Sequence, residues 1–325
     1  MISTRALRMA LACGLLVGST SISPAQTWPT RPVTVVSPFS AGNANDMVAR
    51  IVLDQVSRKL GQAFVIENRP GGGTTIGINV VAKARPDGYT ILMHSSSFSS
   101  AHVLHRKRPY DTLKDFQPVS MFGVQPTVLV VAPSKPYKTV ADLVAAGKAK
   151  PGELTHASAG IGSASHLAAE QLKAAAGFKA LHVPFRGPTE AFTEVMSGRI
   201  DFYFLPLAPA LNLVKSGKVR ALAVGADKRH EALPDVPTLH EAGLGQATYR
   251  FWGGLFVPVN TPRPIVDSLH KAANEALGVA EVQDRLSKIG VQAMPMSIDQ
   301  FDKYFRDDVA ATTKLAEEAG IKPVD

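Results

Sequence analysis

The stretch Val33-Thr-Val-Val-Ser-Pro-Phe-Ser-Ala-Gly-Asn-Ala-Asn-Asp-Met-Val-Ala-Arg50 constrains the fold more than any other. It reads as a buried strand, a loop of small residues and a helix. Val33, Val35 and Val36 are β-branched and favour the strand. Asn45 or Asp46 is placed to cap the helix, because a short side-chain oxygen accepts a free N–H of the first turn. Met47, Val48, Ile51, Val52 and Val56 then recur at helical spacing. A loop that ends a strand and opens a helix aims several N–H groups at one point, and the helix dipole adds partial positive charge there. Such a loop binds a carboxylate or phosphate without Lys or Arg. It is equally an ordinary turn between strand and helix.

The alternation continues along the chain. Strand candidates are Val33–Ser37, Phe64–Glu67, Thr90–His94, Thr127–Ala132, Leu154–Ala157, Ala180–Phe185, Ile200–Leu205 and Val219–Val224, with helical stretches such as Leu167–Ala176 and Thr189–Ser197 between them. This pattern predicts an α/β fold with mostly parallel sheets. Arg85-Pro-Asp-Gly88 and Lys148-Ala-Lys-Pro-Gly152 punctuate two of the units as turns. From Thr261 on the chain reads as helical, with Pro262 and Pro264 near a helix start and apolar positions at Val266, Leu269, Leu277 and Leu286.

The first residues set the expected compartment. Arg5 and Arg8 precede a short apolar core from Met9 to Gly18, and Ser23-Pro24-Ala25 offers small residues for cleavage. This is the pattern of a secretory signal peptide cut after Ala25, too short to span a bilayer. The chain's single cysteine, Cys13, leaves with it, so disulfides, thiol catalysis and Cys-ligated zinc are excluded from the mature protein. Loss of Arg5 and Arg8 lowers the formal charge from +8 to +6. The positive residues are dispersed and not interleaved with aromatics, which argues against nucleic acid; a mild positive field favours anions.

The roughly 300 residues that remain suggest two domains. Two apolar segments, Val124–Pro133 and Phe251–Pro258, look like crossings. They divide the chain into a signal peptide (1–25), a first domain built from both ends (26–123 and 252–325) and an inserted domain (124–251). Ligands of open α/β sheets bind beyond the carboxyl ends of strands, and domain interfaces favour such pockets.

Ser158-Ala-Gly-Ile-Gly-Ser-Ala-Ser-His166 forms a second strand-to-helix loop. Gly160 and Gly162 permit close backbone approach, and Ser163 and Ser165 supply hydroxyls or a cap. One such loop per domain would grip the two ends of a small dicarboxylate. Glu67-Asn-Arg-Pro-Gly-Gly-Gly-Thr74 lacks the ending of a phosphate-binding loop and fails the dinucleotide pattern; Arg69 there is expected to tether the loop to a carboxylate. Ser163 and His166 lack the elbow of a serine hydrolase, and His166 reads as a helix-start residue. His94, His102 and His105 have no acidic companion for a metal. No catalytic residue, metal or cofactor is expected.

These residues resemble the Bug family, the periplasmic receptors of tripartite tricarboxylate transport systems. The landmarks run in order over nearly the whole mature chain: Trp28-Pro-Thr-Arg-Pro32, Pro38-Phe-Ser-Ala-Gly42 through Asp46, Glu67-Asn-Arg-Pro-Gly71, Pro86-Asp-Gly-Tyr89, Pro109-Tyr-Asp111, Leu113-Lys-Asp-Phe116, Ala157-Ser-Ala-Gly160 through His166, Val183-Pro-Phe-Arg-Gly187, Leu222-Ala-Val224, Leu233-Pro-Asp-Val-Pro-Thr238 and Glu241-Ala-Gly243. The resemblance implies a two-domain periplasmic-binding-protein fold of type II character, closing on a small organic anion and delivering it to membrane permease subunits. It implies ligand contacts at Phe39, Ser40, Ala41, Gly42, Asn43, Asn45 and Asp46, at Ser158, Ala159, Gly160, Gly162, Ser163 and Ser165, and near Phe185 and Arg186. His94, Ser95 and Ser96 are expected to face the cleft.

The chain departs from the family pattern at Asn43, Asn45 and Ile161, and at Leu205-Pro206, where many members carry Asp-Asn. The change at Leu205 is expected to make the cleft wall less polar and points away from a citrate-like ligand, toward a less polar or aromatic carboxylate. A monomeric receptor is expected. A hydrolase using Ser163, or a ligand sensor with a signalling partner, is the alternative.

Overall fold

The computed structural model describes residues 28–185 and 188–323. The expected signal peptide, its cleavage site and Arg186 lie outside the described residues. The first sheet has six strands in the order β11-β4-β10-β3-β1-β2. These are β1 (Val33–Ser37), β2 (Phe64–Asn68), β3 (Thr90–Ser95), β4 (Phe116–Gln125), β10 (Phe251–Pro258) and β11 (Gln292–Ala293). Both faces are buried. Val33, Val35, Ile91, Met93, Leu255 and Val257 pack on one side with Val52 and Val56 of α1 (Ala44–Leu60) and Leu269 of α8 (Arg263–Leu277). Val36, Leu92, Trp252 and Phe256 face the other side, with α2 (Thr75–Ala82), α3 (Ser97–Leu104) and α10 (Ile298–Glu318). The two-residue alternation of strand side chains separates the sets, and burial on both faces explains the continuous apolar runs in sequence. Val52, fully buried, contributes about 1.5–3 kcal/mol by its removal from water.

The second sheet has the order β8-β5-β9, from β5 (Thr127–Val131), β8 (Tyr203–Pro206) and β9 (Arg220–Gly225). A parallel pair, β6 (Thr155–Ser158) and β7 (Leu181–Pro184), joins it through a bridge between His156 and Phe202. Leu129 and Val131 belong to one apolar cluster of this unit, Val128 and Val130 to the other. Around it lie α4 (Val140–Ala149), α5 (Ala164–Ala176), α6 (Pro188–Met196) and α7 (Leu207–Lys215).

The chain leaves the first sheet through one residue, Pro126, between β4 and β5. It returns after β9 by residues 226–250. Of the two expected crossing segments, Val124–Pro133 therefore spans the passage, whereas Phe251–Pro258 lies within the first sheet, paired to β3 and β4. The expectation of mostly parallel sheets is corrected. Among the described strands, five of the eight pairings are antiparallel. Parallel neighbours arise where a helix carries the chain back over the sheet. Strand β10 instead enters from the other unit and runs against both its neighbours.

Candidate functional site

The first loop is held by its own side chains. Gly42 turns the backbone at φ +78°, a left-handed conformation that side chains disfavour. The helix that follows begins two to three residues earlier than expected. Asn43 is the cap, not Asn45 or Asp46; its Oδ1 accepts the N–H groups of Asn45 at 2.8 Å and Asp46 at 3.1 Å. Asp46 is 1% exposed. It accepts the Gly42 N–H at 2.8 Å, Arg50 Nε at 2.9 Å and Asn68 Nδ2 at 3.0 Å. Burial works to raise its pKa, but the hydrogen bonds from Arg50, Gly42 and Asn68 outweigh it and hold the carboxyl below its usual range. Asn68 also donates to the Phe39 carbonyl at 3.0 Å. Asp46 thus sets the loop's shape. Of the helix-start N–H groups, that of Ala44 has no partner among the described residues, while Ser40, Ala41 and Gly42 are exposed.

Behind this loop, His94, Ser95 and Ser96 end β3, all fully buried. The His94 ring stacks on Phe98 at 4.8 Å and meets the edge of half-buried Phe39 at 5.1 Å. Its Nδ1 accepts the Ser95 N–H at 2.8 Å, which leaves the proton on Nε2. Burial pushes its pKa down to about 3, so the ring is neutral. His94 Nε2, Ser37 Oγ and Ser100 Oγ are buried polar atoms without a partner among the described residues. Such atoms are costly unless something else satisfies them. A Cβ on Gly253 would lie 3.7 Å from Asn45 Oδ1, in ordinary van der Waals contact, which places Asn45 over β10.

The second loop repeats the strand–loop–helix design with different chemistry. Gly160 and Gly162 have φ +116° and +77°. Ser163 caps α5, accepting the His166 N–H at 3.4 Å, and donates to the Gly160 carbonyl at 2.7 Å. Its hydroxyl proton is thus spent inside the loop in this structure, and its oxygen on the cap. Ser165 Oγ accepts the Ala159 N–H at 3.0 Å and lies 3.1 Å from Ser163 Oγ. Ser158 Oγ accepts the Gly160 N–H at 3.1 Å. Ile161 and Ala164 keep N–H groups without partners among the described residues. Phe185 donates its N–H to the Ser158 carbonyl at 3.0 Å and is half-buried against an apolar cluster. Leu205 sits in that same cluster, 1% exposed, beside Val128 and Tyr203. It is a core residue, so the expectation of a less polar cleft wall at Leu205 is corrected.

The two loops converge through α3. A Cβ on Gly162 would lie 2.8 Å from Leu104 Cδ1 and 3.5 Å from Ser100 Cβ, so the second loop abuts the helix that follows the His94–Ser96 strand end. Phe39 and Asn45 connect that same strand end to the first loop. Sequence reasoning missed Arg50, Asn68, Ser100, Gly253 and His182. The Gly253-Gly254 pair inside a strand was the available signal of close approach. Arg69 does tether its loop, to Glu67 at 2.8 Å. Two grooves open elsewhere. One of about 740 Å³ is lined by Tyr249, Arg250, Tyr304 and Asp308, the other of about 560 Å³ by Arg229, His230 and Gly290.

The model of the tripartite tricarboxylate transporter family receptor, TctC, matches residues 48–321. BugT of Bordetella pertussis is 31% identical over 320 residues, covering 97% of this chain and 98% of BugT. Among solved structures, that of R. palustris Rpa4515 with adipate has a TM-score of 0.83 and 33% identity, covering 91% of this chain and all of that one. MatC (Rpa3494) from Rhodopseudomonas palustris, with bound malate, has a TM-score of 0.79 and 31% identity over 89% of this chain and 99% of that one. Matched by the family model and by these relatives over most of its length, the chain belongs to the TctC, or Bug, family of periplasmic solute-binding receptors.

Proposed function

We propose that this receptor captures a small carboxylate between the Ser40–Asp46 and Ser158–Ser165 loops and delivers it to the membrane subunits of a tripartite transporter. The observation that carries the reading is the apposition of the two loops across α3. Each opens a helix longer than three turns with a first-turn N–H to spare, which suits one carboxylate at each end. His94 Nε2–H and the Ser37 and Ser100 hydroxyls add unused polar atoms nearby. Adipate and malate in the related receptors fit this chemistry. The unit boundaries 26–123 with 252–325, and 124–251, describe the two halves of the clamp, with Pro126 as one hinge. Export removes residues 1–25, and the mature chain acts as a monomer.

A binding role without turnover is also part of the reading. Ser163 is a cap, and the His166 nitrogen that would take a proton from a nucleophile accepts the Gly162 N–H instead. Ser158 does contact a ring, His182 Nε2 at 2.6 Å, but has no exposed surface from which to attack a substrate.

The test is a thermal-shift series with adipate, malate and citrate on protein purified from the periplasm. A ligand at a hundred times its Kd adds about 2.7 kcal/mol to stability, a rise of roughly 5 °C for a chain of this size. A rise with at least one carboxylate is expected; no rise with any would overturn the reading.

A further inference from the structure

Three histidines lie stacked beneath the second loop. The rings of His166 on α5 and His182 on β7 are 3.9 Å apart at 16°. His156 on β6 lies 4.8 Å from His182 at 12°. Stacked faces do not converge on an ion, and among the described residues no group of three His, Cys, Asp or Glu could hold a metal. Two of the rings instead reach into the loop. His166 Nδ1 accepts the Gly162 N–H at 3.2 Å. His182 Nε2 lies 2.6 Å from Ser158 Oγ, the hydroxyl that accepts the Gly160 N–H at 3.1 Å. The Ser158 hydroxyl has one proton to give and two acceptors in reach, the Gly160 carbonyl at 3.1 Å and the His182 nitrogen at 2.6 Å, and the shorter contact is to His182.

We propose that His166 and His182 are positioning residues that lock the Ser158–Ser165 loop through unprotonated ring nitrogens, so that acid unlocks the loop and releases the ligand. The inference rests on that loop being half of the carboxylate site proposed above. An imidazolium has no lone pair with which to accept. Protonated His166 would set an N–H against the Gly162 N–H, and protonated His182 would reverse its bond to Ser158, donating to Oγ and turning the hydroxyl proton toward the Gly160 carbonyl. Two charged rings at 3.9 Å would also repel each other.

The groups facing these rings come from three elements. Glu170 on α5 accepts from His156 Nε2 at 3.2 Å and Lys173 Nζ at 2.7 Å, and lies 3.6 Å from His166 Nε2. Its carboxyl is held down to about 2, because bonds from His156 and Lys173 outweigh the opposing effect of burial. Tyr203 on β8 bonds Ser165, and burial pushes its phenol up to about 12. Burial first, then neighbouring positive charge, pushes His182 down to about 3. Burial pushes His166 down to about 4 against the attraction of Glu170. A ring whose pKa is depressed in the locked state favours that state fully above the free value near 6.5. This preference fades as pH falls from there through the locked value. Each ring freed makes opening about tenfold easier per pH unit in that window.

Amide exchange at Gly160 and Gly162, followed by NMR from pH 7 to 4.5 and corrected for intrinsic rates, tests the lock. Wild-type protection is expected to fall about tenfold per pH unit below 6.5 for each ring released. His166→Asn and His182→Gln place a non-titrating amide oxygen near each accepting nitrogen. The double variant is expected to keep protection at pH 7 and to lose the pH dependence. Adipate affinity by calorimetry, corrected for protonation of adipate itself, is expected to fall between pH 7 and 5 in the wild type and to hold in the double variant. A flat wild-type exchange profile, a double variant as steep as wild type, or a wild-type affinity unchanged at pH 5 would overturn the proposal. If neither adipate nor malate binds at pH 7 but the exchange profile is as expected, the carboxylate reading fails and the lock stands. Should the double variant not fold, the wild-type ring nitrogens decide. Protons on His166 Nε2 and His182 Nδ1 support the lock, and the reverse tautomers overturn it.

Discussion

The two strand-to-helix loops share a path and differ in what holds them. Both leave a strand, turn through a left-handed glycine and open a helix behind a short polar cap. The first is braced by a carboxylate: Asp46 gathers Gly42, Arg50 and Asn68. The second is braced by hydroxyls and neutral imidazoles, through Ser158, Ser163, Ser165, His166 and His182. The same backbone geometry is thus reached with one negative charge in one half and none in the other. A charged brace gains strength from charge-assisted bonds and fails only when the carboxylate is protonated. A neutral brace is weaker bond for bond and fails when the rings are protonated. In the proposed reading the shared strand-to-helix geometry is what binds the anion, while the brace sets stability and pH range.

The largest expected effect breaks the first brace. Asp46→Ala leaves the Gly42 N–H and the Asn68 amide without their acceptor, and is expected to cost about 3 kcal/mol of stability. Urea unfolding measures it. A loss under 1 kcal/mol would show that the carboxylate is incidental. The carboxyl's depressed pKa fixes the sign of its pH dependence. Its contribution is present above the unfolded value near 3.8 and is lost as pH falls below that.

Next in size are the two glycines, whose φ angles are nearly equal at +78° and +77°. Alanine at either costs about 1 kcal/mol in backbone strain. The space around them differs. Nothing lies within 4 Å of a Cβ on Gly42, whereas one on Gly162 would press on Leu104 across the units. Gly162→Ala is therefore expected to lose more stability than Gly42→Ala, and to weaken adipate binding several-fold beyond the effect of Gly42→Ala. Equal affinities would remove the contact at Leu104 from the account.

The smallest effect sharpens the role of Ser163. As a cap, Ser163→Ala is expected to cost about 0.5–1 kcal/mol in stability and to change affinity little. A tenfold or greater loss of affinity at unchanged stability would restore the hydroxyl as a direct ligand contact.

Much of this design was legible in the sequence because it depends on local pattern. Val33–Ser37 and the helical spacing of Val48, Ile51, Val52 and Val56 were readable, as was the glycine-rich turn from Ser158 to Ser163. The cap was harder to place. Asn43, Asn45 and Asp46 are chemically interchangeable as caps, and the choice is made by the left-handed turn at Gly42, which puts Asn43 at the helix start. Strand direction was not legible for β10, since its neighbours lie far away in sequence. Nor was the burial of Leu205, a residue that alternation alone assigns to either face. The histidine brace was hidden for the same reason. His166 and His182 lie on different elements, and only their stacking makes their nitrogens part of one loop.

The proposed function requires both loops to close on one small carboxylate. Amide exchange of residues 39–46 and 158–165, with and without whichever of adipate and malate stabilises the protein more, tests it most directly. Slower exchange is expected in both loops on binding, with the groove at Tyr249, Arg250 and Tyr304 unchanged. Protection confined to one loop, or appearing at that groove instead, would contradict it.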